Sequence, residues 1–189
     1  LENYEFRLKK TKPTIINGNT KLKRIEYNEI KIGEKLLVIS EQGLGDTIQY
    51  MRYIPYLRTL GLDISFCAQE KLHSLIKASG IDHNPLTPKK ANLVSEGQWI
   101  PLLSLPRYLK VNPKNPIISG QYIYSTELFS NKWKNILSKE TRPIVGINWQ
   151  GNPEMEKSYQ GRSISLEEFS ILPDKNQITM LSLQKGFGS

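Results

Sequence analysis

The sequence predicts an α/β protein built on a doubly wound parallel sheet, and three observations carry that prediction. Residues 35–61, KLLVISEQGLGDTIQYMRYIPYLRTLG, set the aliphatic run Leu36–Ser40 ahead of a glycine turn and a helical stripe. Such a run suits a strand buried on both faces. Residues 62–79 repeat the order of strand then helix, and residues 144–183 restart it with a second buried-strand run, Ile144–Trp149, and its own glycine turn. Strands alternating with helices in this way give a parallel sheet with crossover helices.

Taken in order, residues 1–34 read as a lead-in. Tyr4, Phe6 and Leu8 alternate, a polar stretch with Pro13 and Gly18 follows, and Gly33 turns into the first strand. The chain starts at Leu1 without a methionine, so it is expected to be cut from something longer. In the first helix Ile48, Met51, Ile54 and Leu57 recur every three residues, giving one apolar face, with Gln49, Arg52 and Arg58 facing away and Gly61 as the stop. Leu62–Ala68 reads as a second strand and Glu70–Ser79 as a second helix, with Leu72, Leu75 and Ile76 inward and Gly80 closing it.

Asn84-Pro85 and Thr87-Pro88 mark a loop, and Pro101 and Pro106 exclude a long regular helix over 98–106. Residues 111–124 form a connection, and 126–138 a helix with Leu128, Trp133, Ile136 and Leu137 apolar; Trp99 and Trp133 are assigned to the core. After the strand at 144–149 and the turn Gln150-Gly151-Asn152-Pro153, a polar loop precedes a helix over 165–172. Ser165 and Glu168 give that helix a capping box, and a strand over 178–183 follows. A unit that ends after its second strand cannot cover both faces of its sheet. The expected organisation is therefore a lead-in (1–34), a first domain (35–139) and the incomplete start of a second (140–189).

The turn Gly43-Leu44-Gly45-Asp46 matches neither GxGxxG nor GxxxxGK[ST]. No acidic residue follows a dinucleotide fingerprint at the usual spacing of ~20, which disfavours a redox enzyme. Gly43 and Gly45 permit a left-handed bend and close approach of a ligand to the backbone. Asp46 reads either as a helix N-cap or as a carboxylate aimed into a cleft.

Composition narrows the class. A hydrophobic fraction of 38% and a charged fraction of 23% describe a soluble globular protein, and no apolar run approaches the ~20 residues of a membrane span. No secretory signal is visible, so a cytoplasmic site is expected, with peripheral attachment at an inner membrane compatible with the charge of +8. The lysines are scattered, with no arginine cluster or basic stripe, which argues against nucleic acid; diffuse charge suits a phosphorylated small molecule better. Cys67, the sole cysteine, reads as a buried small hydrophobe, and His73 with His83 cannot build a zinc site.

Four stretches together carry a resemblance: Tyr4-Glu5-Phe6-Arg7-Leu8; Glu41-Gln42-Gly43-Leu44-Gly45-Asp46-Thr47-Ile48-Gln49; Pro101-Leu102-Leu103-Ser104-Leu105-Pro106; and Val145–Pro153 with Arg162-Ser163-Ile164 and Ser182–Gly186. In this order they resemble the bacterial glycosyltransferase region that follows tetratricopeptide repeats. That region is related to ADP-heptose:lipopolysaccharide heptosyltransferases of glycosyltransferase family 9, and distantly to O-linked N-acetylglucosamine transferases.

The resemblance implies a GT-B architecture of two Rossmann-like domains, the first holding the acceptor and the second the nucleotide-diphospho-sugar, with no metal cofactor. By that analogy Asp46 is the catalytic base, and Gln42, Gly43, Leu44 and Gly45 line the acceptor side. Trp149, Gly151, Asn152, Arg162, Gln184 and Lys185 face the donor, Arg162 toward its phosphates. The implied partners are the donor, a hydroxyl-bearing glycan, lipid or protein, and upstream repeats. With most of the donor half missing, the chain is expected to be inactive alone and to hide apolar surface by self-association. The competing reading is a noncatalytic binding or scaffolding module that keeps the fold.

Overall fold

The computed structural model describes residues 2–10, 14–25, 31–41, 43–117, 120–151, 153, 163–171 and 177–186. It is an α/β structure whose chain contacts divide it into two units, Leu1–Thr126 and Glu127–Ser189. The helix over 127–137 thus groups with the second unit.

The first unit holds a parallel sheet of four strands: β1 (Lys23–Arg24), β2 (Lys35–Ile39), β3 (Asp63–Cys67) and β4 (Gln98–Pro101), in the order β1-β4-β2-β3. β2 pairs with β3 from Lys35↔Asp63 to Ile39↔Cys67, and with β4 from Leu36↔Gln98 to Ile39↔Pro101. Leu36, Leu37, Val38 and Ile39 are all buried, as the run of four apolar side chains requires of a central strand. β1 comes from the lead-in, which therefore contributes an edge strand. β4 falls in a stretch that carries no strand signal of its own; it is four residues long and ends in Pro101, so the missing N–H falls at the strand's end.

The predicted first helix is two, α1 (Leu44–Tyr50) and α2 (Tyr53–Thr59). Pro55 has no N–H for the Met51 carbonyl, and the Ile54 N–H takes that carbonyl instead at 3.0 Å. The apolar stripe survives the break, because Met51, Ile54 and Leu57 are fully buried against Leu36, Val38, Ile64, Phe66 and Ile100. Each such side chain contributes about 1.5–3 kcal/mol. Arg58 does not simply face solvent: it donates to Ile81 O and the Asp82 carboxylate, both at 2.5 Å, and so pins the next loop.

A 3-10 turn (Glu70–Leu72) and α3 (His73–Ala78) complete that layer, burying Leu72 and Ile76. On the other sheet face Leu37, Ile39 and Cys67 pack against Ala91 of α4 (Pro88–Ala91), with Trp99 half-buried beside them. Thr87 caps α4 by accepting from the Lys90 N–H. After β4 a 3-10 turn (Leu102–Ser104) leads into α5 (Leu105–Tyr108).

The second unit contains α6 (Glu127–Leu137) and two parallel strands, β5 (Ile144–Ile147) and β6 (Thr179–Ser182), with a 3-10 turn over Leu166–Ile171. Trp133 is 48% exposed and no residue of α6 is buried, which corrects its assignment to the core. The expected capping box also changes: the Glu167 N–H, not that of Glu168, donates to Ser165 Oγ, since the tighter 3-10 coil brings an earlier residue into reach.

Candidate functional site

In a sheet of order β3-β2-β4 the chain passes from β2 to β3 on one side and then returns across β2 to β4 on the other. The gap beyond the carboxyl ends of β2 and β4 is therefore the topological switch point, where open α/β sheets bind ligands. Gly43, Leu44, Gly45 and Asp46 lie together on this rim.

Gly43 is the helix N-cap, with φ 110° and ψ 111°, a backbone state that favours glycine. A Cβ there would stand 2.5 Å from Asp46 Oδ2, so the carboxylate lies directly over the glycine. Gly45, expected to share the bend, does not: its φ is not positive and a Cβ would meet nothing within 4 Å. The bend is the work of Gly43. Asp46, at the third position of α1, is not a cap and is exposed, and no described residue hydrogen-bonds or ion-pairs with it. Leu44 is 44% exposed. Gln42 lies outside the described residues.

The turn is held from below by side chains the sequence did not single out. Gln69, just past β3, donates from Nε2 to Glu41 O at 2.7 Å, and the Asn17 amide donates to the same oxygen at 2.8 Å. Thr47, buried, donates to Gln69 Oε1 at 2.9 Å and lies 3.1 Å from Gly43 O, which also accepts the Thr47 N–H.

Beneath the rim Glu41 is fully buried and takes a two-pronged bond from Arg7, Nε to Oε2 at 2.8 Å and Nη2 to Oε1 at 2.6 Å. Arg7 Nη2 also donates to Ser104 Oγ at 3.1 Å, and Nη1 donates to Tyr4 O and Glu5 Oε1, each at 3.1 Å. Ser104 in turn donates to Glu5 Oε2, which also receives Arg24 at 2.7 Å. Burial alone would raise the Glu5 carboxyl, but the bonds from Ser104 and Arg7, and the charge of Arg7, hold it below the usual value. For Arg7 burial opposes the charge, and the Glu41 carboxylate outweighs it and raises its value. One sequence signal pointed here: a glutamate two residues past a strand with four consecutive buried side chains needs a cation.

In the second unit Trp149, Gly151 and Gln184 lie together beyond the ends of β5 and β6. Gln184 is occupied by the chain itself. Its Oε1 accepts the N–H groups of Trp149 (3.3 Å) and Gln150 (3.0 Å), and its Nε2 donates to Gln150 O at 3.2 Å. The Gly151 N–H donates to Ser163 Oγ at 3.0 Å. Trp149 is half-buried and Lys185 exposed, while Asn152 and Arg162 lie outside the described residues.

A groove of about 290 Å³ at the amino ends of β2 and β3, lined by Lys35, Leu37, Asp63, Ser65 and Glu96, opens at the end of the sheet opposite Asp46. Cys67 is buried, which pushes its thiol up to about 12. Among the described residues no group of three or more His, Cys, Asp or Glu is placed to hold a metal, and no helix is long and apolar enough to cross a membrane. Comparison with models of known protein families, with curated proteins and with solved structures gives no match.

Proposed function

We propose that this chain is the acceptor-side part of an inverting sugar transferase of GT-B type, using a nucleotide-diphospho-sugar and a hydroxyl acceptor. The observation that supports it is Asp46: an exposed carboxylate with no partner among the described residues, set over a positive-φ glycine where the central strand passes into its helix. In the reaction the acceptor O–H gives its proton to Asp46 and its oxygen bonds to the sugar C1. The bond from C1 to the phosphate oxygen breaks, and the nucleoside diphosphate leaves with the electron pair. Donor contacts in this reading fall to Trp149, Gly151 and Lys185, with Asn152 and Arg162. Gln184 orders the loop that presents them.

The test is release of nucleoside diphosphate from ADP-, UDP- and GDP-sugars by the full-length gene product and its Asp46→Asn variant. A working general base gives a loss of about 10²–10⁴-fold in the variant. Equal rates in the two proteins refute the role of Asp46.

A second reading, a noncatalytic binding module, is favoured by Arg7, which fills the space beneath the switch point with the chain's own side chain. Calorimetry with the same nucleotide sugars separates the two: neither binding nor turnover of any donor selects the module.

A further inference from the structure

The guanidinium of Arg7 has five N–H donors, and the five hydrogen bonds described for it have acceptors from two sources. Three belong to the sheet end: both oxygens of Glu41, after β2, and Ser104 Oγ, after β4. Two belong to the segment that carries Arg7, namely Tyr4 O and Glu5 Oε1. The floor of the pocket is thus built without the segment. Glu41 is 0% and Ser104 1% exposed, and the Glu41 backbone is fixed by Asn17 and Gln69.

The segment itself is weakly made. Glu2–Lys9 is a 3-10 helix of eight residues, beyond the three or four at which this coil is usually found. Of the side chains described from Tyr4 to Lys10, Arg7 alone is buried, while Phe6 is 62% and Tyr4 45% exposed. Arg7 is the segment's buried anchor, and half-buried Glu5, bonded to Ser104 and Arg24, is its second hold on the sheet.

We propose that the switch point holds a guanidinium-binding pocket, that Arg7 occupies it as a tethered ligand, and that Glu2–Lys9 is a strap displaced when an arginine side chain from outside takes its place. The fork geometry selects guanidinium over ammonium, because two parallel N–H groups meet the two Glu41 oxygens. Replacement by a second guanidinium keeps the buried carboxylate paired, so exchange avoids the penalty that simple withdrawal carries. This proposal does not depend on sugar transfer: its readouts involve neither donor nor turnover.

The experiment uses the full chain with Arg7→Ala and measures thermal unfolding in methylguanidinium against methylammonium at equal ionic strength. The expected result is a saturable rise in Tm with methylguanidinium alone, absent in the wild type and diminished in Arg7→Ala/Ser104→Ala. Equal effects of the two cations overturn the proposal. If Arg7→Ala does not fold, hydrogen exchange of the wild type decides. Amides of residues 4–9 exchange faster in L-argininamide than in L-lysinamide if the strap is displaced, and equal exchange refutes it.

Discussion

Arg7→Ala is the substitution on which the account of the first unit depends most. It removes the cation from Glu41, which is fully buried and held by a fork of 2.6 and 2.8 Å. Breaking such a pair from one side costs about 3–5 kcal/mol, because the remaining charge has no water to solvate it. That is a large share of the ~5–15 kcal/mol by which a domain is stable. At roughly 4 °C per kcal/mol for a unit of this size, the loss corresponds to a fall in Tm of about 12–20 °C. Urea unfolding followed by circular dichroism measures it, and Arg7→Met/Glu41→Leu supplies the control. With both charges gone the double variant is expected to be more stable than Arg7→Ala, since apolar replacements need no partner. An Arg7→Ala cost below ~1 kcal/mol, the range of exposed ion pairs, would refute the buried lock.

Glu5 sets an acid limit. Its folded value lies below the unfolded one, so its contribution is complete above the ordinary glutamate range and is lost as pH falls through the lowered value. Glu5→Gln is therefore expected to flatten the acid limb of the stability curve, read as Tm against pH. The two turn glycines should behave oppositely. Gly43→Ala strains a left-handed backbone and drives a Cβ into the Asp46 carboxylate, costing about 1–3 kcal/mol. Gly45→Ala meets open space in a helix and should gain roughly 0.5–1 kcal/mol, both read by urea unfolding. Cys67, buried with its thiol pushed up to about 12, should resist iodoacetamide in the folded protein and react once urea unfolds it; labelling at equal rates in both would contradict its burial.

β2 was legible as an apolar run because a strand covered on both faces is written in consecutive residues, and β3, at the sheet edge, from Ile64, Phe66 and Cys67 around the half-buried Ser65. The stripe of Met51, Ile54 and Leu57 was legible because burial against a sheet imposes helical spacing. The division into α1 and α2 was also present in the sequence, in Pro55, and was missed because the stripe continues through it. β1 could not be read: Lys23-Arg24 is a strand solely because β4 lies beside it.

The site divides in the same way. Gly43 and Asp46 stood out as a local turn, since a left-handed bend and a polar residue at a helix start are short-range features. Which glycine makes the bend, and that Asp46 is no cap, depended on the backbone path of the folded chain. Arg7 lies 34 residues from Glu41 and 97 from Ser104. Local propensity and periodicity act over a few residues, so the sequence by itself determined β2, β3, β5 and β6, the apolar stripe of α1 and α2, and the glycine turn. The pairing of the buried Glu41 carboxylate with Arg7 was decided by the tertiary structure, because the low polarity that makes it necessary exists after the sheet has formed.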